Sequence, residues 1–497
     1  MHAPFRYRKH PHLYEIHTWV WLAELSEAAG RRLTLIDVPD AEWDRLAELG
    51  FDFVWLMGIW KRSPAGRRIA RTDPALFPGY EEALPGWTMD DIVGSAYAVQ
   101  AYEPDPHLAT WQELDLVREK LHARGMGLIL DFVTNHTAPD HEWVRAHPEY
   151  YVTGTHDDFR KDPLAFHFLE RDDGSRLYLA RGRDPYFPHW ADTAQLNYFR
   201  HDARQAILGE LQRIAEHCDG LRCDMAMLVL NAIFARTWGH LLRESAPAEE
   251  FWAEAVAALP GFVWIAEVYW DLEWHMQQLG FPFAYDKRLM DYLHGAGPRE
   301  VRDHLHADMS YQNALVRFLE NHDEPRSAAA FGVERLPALA TLVATLPGMR
   351  FYYDGQFEGR RIRPPVHLGR ARREEANPAL NSLYERLLHI SYAEVFHTGD
   401  WRLLAVEPAG DASHESLLAW QWRSHDDWRL IVVNLGRTPA QGKLFFGAAV
   451  QPGKGYEFHD QLNDVNYPRD GDDLVRNGLY VRLDAGRAHL FAVKPRS

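Results

Sequence analysis

Four positions carry side chains whose types and spacing could do chemistry together. Arg222 and Asp224 lie two residues apart in Gly220-Leu221-Arg222-Cys223-Asp224, and on a strand that spacing turns both to one face. The permanently charged guanidinium favours the ionised form of its neighbour, so Asp224 is expected to have a lowered pKa and to serve as a nucleophile. Glu267 stands between apolar neighbours in Trp264-Ile265-Ala266-Glu267-Val268, where desolvation penalises its charged form and suits it to proton donation. Asp323 adds a third carboxylate beside His322. Taken singly, each has a plainer role, as a rim ion pair, a buried structural acid or a helix cap. Together they match glycosidic cleavage, which needs one acid to protonate the leaving oxygen and one carboxylate to attack the anomeric carbon.

Such residues meet only if the strands that carry them end at the same place. Candidate strands, rich in branched and aromatic residues, fall at 14–22, 51–59, 127–133, 218–224, 262–268, 281–285, 315–320 and 349–353. Helical segments separate them, among them 41–49, 202–217 and 110–124, the last with Thr110 and Glu113 spaced as a capping box and Gly125 at its end. Eight strand–helix units are what a (β/α)8 TIM barrel requires, and in such barrels reactive groups sit where strands end. Two stretches break the rhythm: 61–96, read as a long loop, and 135–197, read as an inserted subdomain B after the third strand. From residue 392 short alternating segments separated by Gly, Asp, Asn and Pro predict an all-β C-terminal domain. The expected division is a catalytic α/β barrel over 1–391, with 135–197 inserted, and a β-sandwich over 392–497.

Composition narrows the partners. The net charge is -17, from 54 basic and 71 acidic residues, which disfavours a nucleic acid held through phosphates and favours a neutral ligand. Aromatic residues make up 13% of the chain; most are expected in the core, and any surplus suits flat-faced sugars. The longest apolar run, at 338–349, is broken by Pro347 and too short to span a membrane. Two cysteines and the lack of an apolar leader near Met1 predict a cytoplasmic protein. His10, His12, His304 and His306 lack metal-ligand spacing and read as surface histidines. The oligomeric state is not readable.

Four stretches resemble the motifs of the α-amylase superfamily, glycoside hydrolase family 13. They are Asp131-Phe132-Val133-Thr134-Asn135-His136, Gly220-Leu221-Arg222-Cys223-Asp224, Ile265-Ala266-Glu267 and Asn321-His322-Asp323, in that order on strands three, four, five and seven. Asp192-Thr193-Ala194-Gln195-Leu196-Asn197-Tyr198 is a weaker fifth match. The resemblance implies a retaining mechanism with Asp224 as nucleophile, Glu267 as acid and base, and Asp323 as stabiliser. It also implies a substrate-binding set of Arg222, His136, His322, Tyr97 and Asp131. The implied activity is a hydrolase of α-glucosidic bonds in malto-oligosaccharides or short α-glucosides. The alternatives are an α-glucan or disaccharide transglycosylase or isomerase, and a non-catalytic sugar-binding protein on the same scaffold. Met227 and Leu228 stand where many starch-cleaving members carry Lys and His, and Ala98 where an Asp is frequent. Asn135 resembles a calcium ligand of the family, but Leu228 replaces the His whose carbonyl commonly joins it; no metal and no cofactor are assigned.

Overall fold

The computed structural model describes residues 4–171, 174–295, 297–425 and 427–496. Eight strands close into a barrel: β1 (His12–His17), β2 (Phe53–Met57), β3 (Gly127–Val133), β4 (Gly220–Asp224), β5 (Val263–Ala266), β6 (Phe283–Tyr285), β7 (Leu315–Arg317) and β8 (Met349–Tyr353). Each pairs in parallel with the next, and β8 returns to β1 through Leu13 opposite Phe351. The strands are buried along their length because helices cover the outside and large side chains fill the lumen. Leu13, Phe53, Trp55, Ile129, Ile265 and Phe351 make that inner core.

Local signals account for much of the outer ring. The helix Trp111–His122 begins with Thr110 Oγ1 accepting from Glu113 N at 3.2 Å, while Glu113 Oε2 accepts from Thr110 N at 2.7 Å. It buries Leu114, Val117 and Leu121, and the chain leaves it through Gly125 at φ 75°, which only glycine adopts without strain.

Three expectations are corrected. The first strand stops at His17, and 18–22 opens the helix Thr18–Ala29, with His17 Nδ1 accepting from Val20 N at 3.4 Å. A short buried apolar run does not distinguish strand from buried helix, because both faces of either are covered. The stretch 61–96 is not a structureless loop: it holds the helices Pro64–Thr72 and Phe77–Ala83, packed on a small core with Tyr80, Ile92 and Leu368. Pro64 and Pro78 open these helices rather than break them, since the first turn needs no amide donor from proline, and Ser63 Oγ accepts from Gly66 N at 2.8 Å. His10, His12 and His304 are buried rather than exposed; His12 Nε2, for one, faces Arg350 Nη1 at 3.2 Å.

Between β3 and the helix His201–Ala215 lie a three-stranded antiparallel sheet (Thr153–Gly154, Phe166–Glu170, Arg176–Ala180) and a ribbon pairing His136–Thr137 with Ala194–Gln195. After the helix Pro378–Ser391 the chain forms a six-stranded and a three-stranded antiparallel sheet. The pattern missed the pair Gly455–Asp460 and Val465–Asp470 and the short helix Gly471–Asn477. In the strand Leu417–Arg423 alternation divides the work: Leu418, Trp420 and Trp422 pack into the core shared with the barrel helices, and Leu417 and Ala419 into the sandwich interior. Both cysteines are buried and unpaired, and among the described residues no helix is long and apolar enough to cross a membrane.

Candidate active site

Strand register brings the acids together. On β4 and β5, Arg222 pairs with Ile265 and Cys223 with Ala266, so Asp224 and Glu267 are the next residues at the same level on neighbouring strands. On the other side Arg222 pairs with Asp131 of β3. Strand β4 ends in a sharp turn, with Met225 in the left-handed region at φ 42°, a strained conformation for a side chain of this size. That turn aims Met225 N at Glu267 Oε2, 2.6 Å away.

Arg222 is fully buried at the centre. Its Nη1 donates to Asp224 Oδ1 at 2.8 Å and lies 3.7 Å from Asp131 Oδ1. Its Nη2 is 2.8 Å from Glu267 Oε2 and 4.0 Å from Asp323 Oδ2, charge contacts rather than aligned hydrogen bonds. The rings of Trp55, Tyr97 and Tyr285 surround the guanidinium at 5.2, 5.5 and 5.7 Å, within reach of cation–π attraction. One cation thus faces four carboxylates from β3, β4, β5 and the loop after β7.

That crowding overturns the expected lowering of the Asp224 pKa. Burial and the adjacent Glu267 carboxylate outweigh Arg222 and push Asp224 up to about 8. At neutral pH the neighbouring carboxylates therefore hold a proton between them. Asp323 behaves oppositely. Partial desolvation would raise it, but the charges of His322, Arg222 and Arg363 hold its carboxyl well below the usual range.

The remaining residues of the set stand around this centre. Tyr97 stacks on His322 at 5.3 Å and 17°, and its hydroxyl lies 2.6 Å from His322 Nε2. Asp131 Oδ2 accepts from Gly58 N at 3.0 Å, tying β3 to the loop after β2. His136 is set back: its Nε2 faces Tyr97 O at 3.1 Å and its Nδ1 faces Asn135 Nδ2 at 3.4 Å. Burial lowers its pKa to about 4, so the ring is neutral and positions Tyr97 through the backbone. Met227 and Leu228 are buried and present nothing polar to a ligand.

Sequence reading missed Glu15 and Tyr269. Glu15 on β1 is completely buried, with Oε1 2.5 Å from His322 Nδ1; its signal was an acid inside the apolar run Leu13-Tyr14-Glu15-Ile16. The Tyr269 hydroxyl donates to Glu267 Oε1 at 2.6 Å, and only the turn of the chain after β5 reveals that contact.

The residues where the family resemblance implies calcium do not fit a cation. Gln195 Nε2 donates to Asn135 O at 2.8 Å, to Asn135 Oδ1 at 3.0 Å and to Leu196 O at 3.0 Å, and Asn135 Nδ2 returns a bond to Gln195 Oε1 at 3.0 Å. Oxygens a calcium ion would need already converge on an amide nitrogen. Among the described residues no group of three or more His, Cys, Asp or Glu could hold a metal ion.

Comparison with known proteins identifies the family and the fold. Alpha-amylase MalA of Haloarcula japonica is 22% identical over 431 residues, 86% of this chain and 55% of that protein. The alpha-1,4-glucan:maltose-1-phosphate maltosyltransferase of Salinibacter ruber is 23% identical over 497 residues, 91% and 64% of the two chains. The chain thus spans about half to two-thirds of the length of these curated relatives. The crystal structure of the noncanonic maltogenic alpha-amylase AmyB from Thermotoga neapolitana superposes with a TM-score of 0.69 at 21% identity, over 97% of this chain and 98% of that one; at that identity the likeness is one of fold. The family model of the alpha amylase catalytic domain matches residues 41–363, well over half of the sequence, and the chain belongs to that family.

Proposed function

We propose that this protein is a retaining glycosidase of α-glucosidic bonds in malto-oligosaccharides or short α-glucosides, working through a covalent glycosyl-enzyme. The observation that carries this reading is the register of β4 and β5, which sets Asp224 and Glu267 side by side on adjacent strands against one guanidinium. Neighbouring strands lie about 4.8 Å apart, close to the roughly 5–5.5 Å of retaining carboxyl pairs and short of the gap that an inverting enzyme leaves for water.

In this mechanism the proton held by the pair passes to the leaving oxygen from Glu267, while Asp224 attacks the anomeric carbon. Tyr269 and Met225 N keep Glu267 oriented by donating to its two oxygens. Arg222 holds Asp224 in line. Asp323, ionised and with its side chain 46% exposed, is the carboxylate best placed to take sugar hydroxyls, with Tyr97 and His322 beside it. In the second step Glu267, now a base, activates water or another sugar hydroxyl.

Transfer is the second reading, since the maltosyltransferase relative is a transferase by name and both outcomes share one intermediate. Incubation with maltose, trehalose, sucrose and maltotetraose, with products resolved by chromatography, separates the two. Shortened sugars and monosaccharide alone mark hydrolysis, and lengthened or isomerised sugars mark transfer. Proton NMR of the first product is expected to show the α-anomer; β-anomer, or no turnover of any glycoside, would reject the reading and the latter would leave a non-catalytic sugar binder. We further divide the chain into a barrel over 1–391 with 135–197 inserted and a β-sandwich over 392–497. Its two buried, unpaired cysteines support a reducing, cytoplasmic setting.

A further inference from the structure

Glu15 has no part in the reaction just described, yet it is completely buried inside β1. Its neighbours across the sheet are Trp55 of β2 and Tyr353 of β8, and its Oε2 has no hydrogen-bond partner among the described residues. Among the described residues, the one hydrogen bond its carboxylate makes is with His322 Nδ1, at 2.5 Å. On the far side of the imidazole, Nε2 lies 2.9 Å from Asp323 Oδ2 and 2.6 Å from the Tyr97 hydroxyl. Both ring nitrogens therefore face a carboxylate. Ionised carboxylates on both sides favour the doubly protonated ring, which donates from both nitrogens, and the Tyr97 hydroxyl can then accept at Nε2. A neutral ring would turn a lone pair on one of the two acids at less than 3 Å.

We propose that Glu15 is a positioning residue, which keeps His322 a cation so that His322 in turn holds Asp323 ionised and fixed at the sugar site. The inference rests on the functional reading above, since it supplies the residue on which Asp323 depends. Both acids raise His322, and exposure distinguishes them. The side chain of Asp323 is 46% exposed and that of Glu15 is 0% exposed, so water screens the first pair and leaves the second unscreened. The groups facing His322 come from every surrounding element. Asp323, Glu15 of β1 and Asp131 of β3 favour the cation; Arg222 of β4 and His17 at the end of β1 oppose it. Tyr97 covers one face, and the Trp55 ring meets it edge-on at 5.5 Å and 82°. The net result pushes His322 well above the ordinary histidine range despite its burial.

Histidine 15N NMR of the full chain tests this directly, with the His322 signal assigned by its loss in His322→Gln. In the wild type both ring nitrogens are expected to be protonated at pH 7. In Glu15→Gln, which keeps an acceptor but loses the charge, the ring is expected to titrate near the ordinary histidine value of about 6.5. The alkaline limb of kcat/KM should then move down by at least about one pH unit. The loss relative to wild type would grow from under about threefold at pH 5.5 to about tenfold at pH 7.5. Glu15→Asp, which keeps the charge, should restore the wild-type profile, as a purely structural role would not. A neutral His322 in the wild type at pH 7, or superimposable pH profiles for Glu15→Gln and wild type, would overturn the proposal. If Glu15→Gln does not fold, the wild-type spectrum alone decides. A wild type without glycoside turnover would sink the functional reading and leave the His322 spectrum still a test of Glu15.

Discussion

At the scale of single residues the site is over-supplied with negative charge, and Asp224 bears the strain. Its pKa of about 8 exceeds the unfolded value of roughly 3.9, so the native state binds this proton more tightly than the unfolded chain. Linkage then makes wild-type stability fall as pH rises from about 4 towards 8. Asp224→Asn removes the charge but keeps the shape. We expect urea titrations at pH 7.5 to show it more stable than wild type by about 1–2 kcal/mol, with kcat reduced by about 10⁴-fold or more. A destabilised Asp224→Asn would mean that the ion pair with Arg222 outweighs the repulsion from Glu267. In the wild type, kcat/KM should fall about tenfold per unit above pH 8, where the pair loses the proton that Glu267 must deliver.

At the scale of elements, side-chain hydrogen bonds hold the long insertion on the barrel. The ribbon of His136–Thr137 and Ala194–Gln195 closes the insertion at its base, and the Asn135–Gln195 amide clamp locks that base to the end of β3. Both side chains are buried, so every lost bond leaves an unsatisfied polar group. Gln195→Leu should lower stability by about 2–3 kcal/mol. The wild-type melting temperature should be the same in EDTA as in millimolar calcium, measured by scanning fluorimetry. A drop in EDTA that calcium reverses would show that a cation displaces the Gln195 amide.

At the scale of the whole molecule, the C-terminal sheet is joined to the barrel through one of its faces, with Leu418, Trp420 and Trp422 of one strand, Ile431 and Val433 of the next and Leu490 of a third in the core shared with the barrel helices. Trp422 is 1% exposed, and its Nε1 donates to Thr345 O at 2.6 Å at the end of the helix Leu336–Thr345. Arg350 Nη2 donates to Phe396 O at 2.9 Å, and Arg302 Nη2 to Leu417 O at 3.0 Å. With apolar burial and backbone carbonyls both committed across this junction, the sheet should unfold with the barrel. Trp422→Ala should cost about 3–5 kcal/mol, read as a shift of the urea midpoint. Calorimetry of the wild type should show one transition, whereas two resolved transitions would separate the units.

The sequence alone determined what repeats or is chemically local. The strand β8 at 349–353 and the strand β3 at 127–133 were legible to the residue, because buried strands are rich in branched and aromatic residues, interrupted here only by Arg350 and Asp131. The capping box at Thr110 and Glu113 was legible because its partners are three residues apart. Arg222 and Asp224 were legible as a same-face pair because strand side chains alternate with period two. Tertiary structure decided everything that depends on distance through space. Helix or strand at 18–22 turned on what covered both faces, and proline's effect at 64 on where the chain turned. Whether Asp224 lost or kept its proton turned on Glu267, forty-three positions away in sequence but level with it on the next strand. Glu15 and Gln195 escaped notice because an acid or an amide in an apolar stretch has no meaning until its partner arrives, and the partners, His322 and Asn135, come from remote parts of the chain. Coulomb energy and hydrogen bonding depend on separations of a few ångströms, which closure of the barrel sets and which the order of residues does not contain.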